Sequence, residues 1–291
     1  MKWEDQEKSE NVEDTRGSRR PAMAAGGGIG VMLLTAAIYY VTQLAGLDPN
    51  QAKKVAGAIA GGGQQQQQAG PPPNDKMKAF SASILGMTEK VWGKLFQENY
   101  RQPYEKPKMT LFSDEVDTAC GHAPSAVGPF YCPTDKHVYL DPSFFDELET
   151  KLGGSKADFS KAYVIAHEVG HHVQNLLEYN DKLKQFKSEG ENSGVRLELQ
   201  ADYLAGVWAH HAEKNYRILE KGDVEDALKT ARSIGDNRIQ EKMRGKAWPE
   251  SFNHGRDDQR IKYFSEGMKT GDASKAALDR FFNRSVKPLD L

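Results

Sequence analysis

Residues His167-Glu168-Val169-Gly170-His171 set two imidazoles four positions apart. On a helix, positions i and i+4 share a face, so His167 and His171 can offer ring nitrogens to one metal ion. Glu168 lies one step round that helix, within reach of a water on the ion without being a ligand itself. Small and apolar neighbours (Val164, Ile165, Ala166, Val169, Val173) predict a buried helix, and Gly170 leaves room for close packing between the histidines. The pentapeptide by itself also occurs on ordinary helices. Its weight comes from Glu198-Leu199-Gln200-Ala201-Asp202 downstream. Glu198 would complete a set of two histidines and one carboxylate for Zn²⁺, leaving a fourth position to water. Asp202, on the same helix face, would accept the free N–H of one histidine and fix its tautomer. The alternative is a solvated acidic face, and the apolar residues that follow (Tyr203, Leu204, Val207, Trp208) weigh against it.

Together these residues resemble the gluzincin pattern, H-E-x-x-H followed on a later helix by E-x-x-x-D. More narrowly, the chain resembles the membrane-anchored bacterial neutral zinc metallopeptidase family. The shared stretches are Trp3 with Asn11-Val12-Glu13-Asp14, Val127-Gly128-Pro129-Phe130-Tyr131-Cys132-Pro133, Val138-Tyr139-Leu140-Asp141 and Val164 to Gln174. Glu198 to Asp202, Ala205-Gly206-Val207-Trp208 and Ser251-Phe252-Asn253-His254-Gly255 complete them. The resemblance implies an α+β, zincin-like domain, mostly helical with a small sheet, and zinc-dependent hydrolysis of peptide bonds in a peptide or protein substrate. In that reaction Glu168 would be the general base.

His254 sits in a glycine-flanked loop downstream of the ligands. It could hydrogen-bond a developing oxyanion beside the metal, or serve as a capping or packing residue. Cys120 and Cys132 are the sole cysteines and flank a loop rich in Gly and Pro. A disulfide suits them outside the cytosol; two buried thiols, or a second zinc site with His122 or His137, are the other readings. A net charge of −2 with intermixed signs argues against nucleic acid as a partner.

The elements that must hold these side chains follow from periodicity. Apolar residues from Met77 to Leu95 recur every three or four positions, predicting a helix over 76–99. Strands are expected at 108–112, 129–132 and 137–141, the last two joined by a turn at Pro133-Thr134-Asp135-Lys136. A short helix is expected at 143–152, and the first ligand helix from about 157. A charged connector spans 181–193, the second ligand helix 194–215, a helix 223–242, and two short helices 256–268 and 273–283.

The rest divides by composition. Residues 1–25 read as a polar cytoplasmic tail, with 1–20 disordered. Residues 26–47 read as one transmembrane helix: no charge occurs from Pro21 to Leu47, and the apolar run Ile29–Val41 with its flanks reaches the roughly 20 residues a bilayer needs. A cleaved signal peptide and a core helix are the competing readings. Residues 48–74, rich in Gly, Gln and Pro, read as a flexible linker ahead of a zinc metallopeptidase domain at 75–291. Arg16, Arg19 and Arg20 before the apolar run point to a cytoplasmic N-terminus in a bacterial inner membrane, with the catalytic domain outside. A second function class remains open, a membrane-tethered assembly factor on a vestigial protease fold. The intact Glu168 argues against it, since a structural metal site has no use for a neighbouring base.

Overall fold

The computed structural model describes residues 1–17 and 75–291. Residues 1–15 and 74–291 form one compact unit. Its elements are β1 (Val12–Asp14), α1 (Lys76–Tyr100), β2 (Lys108–Leu111), β3 (Glu115–Thr118), β4 (Gly121–Pro124), β5 (Phe130–Cys132) and β6 (His137–Leu140). The helical part follows: α2 (Phe144–Glu147), α3 (Asp158–Leu176), α4 (Tyr179–Leu183), α5 (Val195–Tyr216), α6 (Asp223–Ser233), α7 (Asp236–Arg244), α8 (Asp257–Thr270) and α9 (Lys275–Asp279). This is an α+β arrangement, mostly helical with a small sheet.

The sheet runs in the order β1-β2-β6-β5. β1, β2 and β6 are parallel, and β5 returns antiparallel to β6 across the predicted turn. β5 is therefore an edge strand. Helix α1 starts where the Asp75 carboxylate accepts from the Met77 and Lys78 amides at 2.8 and 3.3 Å, satisfying two of the amides that a helix start leaves unpaired. The residues that set its period, Phe80, Ile84, Met87, Val91 and Leu95, are all buried. They form one core with the inward faces of α3 and α5.

The first fifteen residues are not a disordered tail. β1 pairs in register with β2, Val12 opposite Met109 and Asp14 opposite Leu111. Trp3 is buried edge-on against Phe80, and its indole N–H donates to Asp158, the first residue of α3, at 2.9 Å. Buried Glu89 accepts from the Ser9 hydroxyl and the Asn11 amide at 2.5 and 2.8 Å. Gly86 admits the arm, since a Cβ there would fall 2.5 Å from the Glu7 carbonyl oxygen. Polar composition suggested disorder because its few anchors, Trp3 and Val12, find their partners only in the folded domain. An N-terminus held across a membrane from residues 75–291 does not fit a strand that shares their sheet. The predicted span at 26–47 and linker at 48–74 lie outside the described residues. Among the described residues no helix is long and apolar enough to cross a membrane.

Other departures are local. The helix expected over 223–242 breaks between α6 and α7, where Asp236 turns its carboxylate to the backbone amides of Asn253, His254 and Gly255 at 2.7, 2.6 and 3.0 Å. The connector at 181–193 is largely helical, α4 followed by a tighter turn over Lys184–Gly194. The β3–β4 hairpin was not foreseen. Cys120, just past β3, is disulfide-bonded to Cys132 in β5, tying that hairpin to the edge strand.

Candidate metal centre

Helices α3 and α5 pack so closely that a Cβ on Gly170 would lie 3.1 Å from the Ala201 carbonyl oxygen. This contact brings Glu198 and Asp202, one turn apart on α5, up to the two histidines of α3. The Glu198 carboxylate stands 3.3 Å from His167 Nε2 and 3.5 Å from His171 Nε2. One ligand atom from each of the three lies within 4.8 Å of the others. Zinc–ligand bonds of about 2.0–2.2 Å at tetrahedral angles put neighbouring ligand atoms about 3.3–3.5 Å apart. Two imidazoles and one carboxylate at these spacings suit Zn²⁺ with one position to spare.

The surrounding hydrogen bonds fix which nitrogen faces the centre. His167 Nδ1–H donates to Asp202 Oδ1 at 2.9 Å, and His171 Nδ1–H donates to Gln174 Oε1 at 2.8 Å. Both Nε2 atoms are thereby left for the ion. Gln174 is itself held, donating to the Leu197 carbonyl at 2.6 Å. Asp202 is fully buried and also accepts from the Tyr163 hydroxyl at 2.6 Å and from Arg260 Nε and Nη2 at 2.8 and 3.1 Å. Arg260 Nη1 donates to the Ile234 carbonyl. Asp202 is thus the hub of a buried network tying α3, α5 and α8.

The electrostatics follow from burial against charge. Burial alone would push the Glu198 carboxyl up, but the imidazoles of His171 and His167 outweigh it and hold the group well below the ordinary carboxylate range. Burial would likewise raise Asp202, and Arg260 with His167 overcomes that and lowers it. The same carboxylates act on the histidines. Burial lowers His167, yet Asp202 and Glu198 push it up to about 10, and Glu198 raises His171 against burial in the same way.

Zinc requires both rings neutral at Nε2, so loading displaces protons. Because the folded pKa of His167 exceeds its ordinary 6.5, proton binding stabilises the metal-free fold fully below that value. That contribution fades as the pH rises through about 10. Apparent zinc affinity is therefore expected to climb with pH across the neutral range, about tenfold per unit for each proton released. Titration against a chromophoric chelator at several pH values checks this; a flat profile would contradict it.

Glu168 lines the same cleft and is largely buried. Among the described residues no hydrogen bond or ion pair engages its carboxylate. His254 also lines the cleft. Its Nδ1 bonds Asp236 at 3.0 Å, and that bond, with help from the Glu198 charge, raises the imidazole above its usual value. The same contacts favour the form of His254 protonated on both ring nitrogens. His210 and His211 lie well along α5 and bond the carbonyls of Met268 and Gly271, away from the centre. His122 pairs with Asp117 and Glu115 on the hairpin.

Sequence reasoning missed the supports. Gln174 stands three residues past His171 on the same helix, so its spacing could have revealed it. Tyr163, Asp236 and the Asp202 contact of Arg260 carry no local signal. Neither does His172. It is buried, and burial drives its pKa down to about 4, so the ring is neutral. His172 Nε2–H donates to the Glu105 carbonyl, and the Tyr131 hydroxyl donates to Nδ1 at 2.9 Å while accepting from Asn175. This pins edge strand β5 to the ligand helix.

The family described as "Putative neutral zinc metallopeptidase" matches over residues 1–280. An Escherichia coli K12 protein, "Uncharacterized protein YpfJ", is 40% identical over 290 residues, covering 94% of this chain and 97% of its own. A Mycobacterium tuberculosis H37Rv protein, "Uncharacterized protein Rv2575", is 47% identical over 178 residues, covering 58% of this chain and 61% of its own. No solved structure matches the chain.

Proposed function

Starting from the premise that the chain belongs to the neutral zinc metallopeptidase family, we propose that it hydrolyses peptide bonds with a zincin-like site made of His167, His171 and Glu198. The observation that carries this reading is an uncommitted carboxylate, Glu168, beside a ligand triad spaced for one ion. Zinc held there would supply Lewis acidity, acidifying a water at its open position and polarising the scissile carbonyl. Glu168 takes the proton from the attacking water and passes it to the leaving amine. His254, whose protonated form Asp236 favours, donates from Nε2 to the developing oxyanion. The outer edge of β5, which pairs with no strand among the described residues and whose Phe130 and Tyr131 line the cleft, aligns an extended substrate by backbone pairing. A merely structural zinc site would tend to fill its fourth position with protein.

The test is cleavage of unfolded casein by the full chain. Activity is expected to vanish on chelation and return with added Zn²⁺. Turnover that survives complete metal removal would refute the proposal. Association with a bacterial inner membrane through the uncharged run from Pro21 to Leu47 is part of the same reading, supported by composition.

A further inference from the structure

We infer that the cleft selects peptide segments carrying large uncharged, apolar side chains beside the scissile bond, with Val127 and Met243 as specificity-determining residues; this rests on the peptidase reading. The cleft is about 750 Å³. The cleft is lined by Val127, Phe144 and Leu152, and by Ile234, Ile239 and Met243 from α7 and the break that precedes it. Among the described residues, the exposed large apolar side chains are Val127 at 58%, Met243 at 75% and Trp248 at 36%. Two of the three line this cleft, and the third is tied to the same helix, its amide donating to Gln240 at 2.8 Å. Apolar surface left in water and gathered at one concavity marks a contact surface rather than a packing remainder.

Charge points the same way. Lys151 is paired with Glu147 at 2.8 Å, Arg260 with Asp202 at 2.8 Å, and His254 with Asp236 at 3.0 Å. Glu198 faces the two histidines. Apart from Glu168, each charged side chain lining the cleft has its counter-charge inside the protein. A charged substrate residue would lose its hydration there, and the one carboxylate left to meet a cation, Glu168, is assigned to the attacking water. An apolar one would cover Val127 and Met243 and gain by leaving water. Such residues are mostly buried in folded proteins. The segments that fit are therefore those presented by unfolded or not yet folded chains.

Binding can be read without turnover by using the zinc-loaded full chain with Glu168→Gln. Two labelled peptides of equal length serve as probes, one with Leu, Phe and Met around its centre, the other with Glu and Lys there. Anisotropy is expected to show the apolar peptide bound at least about tenfold more tightly. Val127→Asp and Met243→Lys should each erase most of that preference with zinc content unchanged. Equal binding of both peptides, or a preference untouched by both substitutions, overturns the inference and leaves the peptidase reading standing. If neither peptide binds and the unaltered enzyme cuts no unfolded protein, the peptidase reading falls and takes the inference with it.

Discussion

Changing Glu168 to glutamine is expected to lower the rate of peptide hydrolysis by about 10³-fold while zinc content stays at that of the unaltered chain. The amide fills the same space, and the three side chains proposed to hold the ion, His167, His171 and Glu198, are unchanged. What is lost is a carboxylate in the cleft that no hydrogen bond or ion pair engages among the described residues. Measuring turnover of an unfolded protein alongside metal content by atomic spectroscopy separates the two effects. Near-normal turnover would show that another group moves the proton. Loss of zinc together with activity would show that Glu168 helps to hold the ion.

Removing Arg260 should have the largest effect on stability. Arg260→Met strips the fully buried Asp202 of two charged hydrogen bonds and leaves it balanced by His167 and Tyr163 alone. Breaking a buried pair from one side costs about 3–5 kcal/mol, because the remaining charge cannot reach water. The double variant Arg260→Met with Asp202→Asn removes that stranded charge, so it should be more stable than the single one. Zinc affinity should not recover with it. With asparagine at 202, His167 is oriented by a neutral amide oxygen in place of a carboxylate, a change that typically weakens metal binding about 10–100-fold. Thermal unfolding of the metal-free proteins, with chelator competition for the loaded ones, reads both. A double variant no more stable than the single would contradict the buried-pair account.

The ligand geometry could be read from sequence because it is local. His167 and His171 owe their common face to helical period, as do Glu198 and Asp202, and the apolar residues around both pairs announce buried helices. What no period could supply was the distance between those helices. That depends on Gly170 meeting Ala201, a contact between residues far apart in the chain. The same holds for Asp236, whose carboxylate gathers three amides of the loop carrying His254. β3 shows the opposite failure. With one buried residue, Val116, in Glu115-Val116-Asp117-Thr118, it offers too little alternation to read as a strand. The N-terminal arm was missed for its polarity, since Ser9 and Asn11 are stabilised by Glu89 rather than by burial of apolar surface.

The pairing of β1 with β2 makes the N-terminal arm part of the same folded unit as residues 75–291, although the two are far apart in the sequence. A single cut of the chain between Gly17 and Asp75 would yield two polypeptides held together without a covalent link. The short fragment would stay docked through its strand hydrogen bonds, the Trp3 anchor and the Glu89 contacts. Gel electrophoresis in denaturant would then report two pieces where sedimentation in native buffer reports one particle.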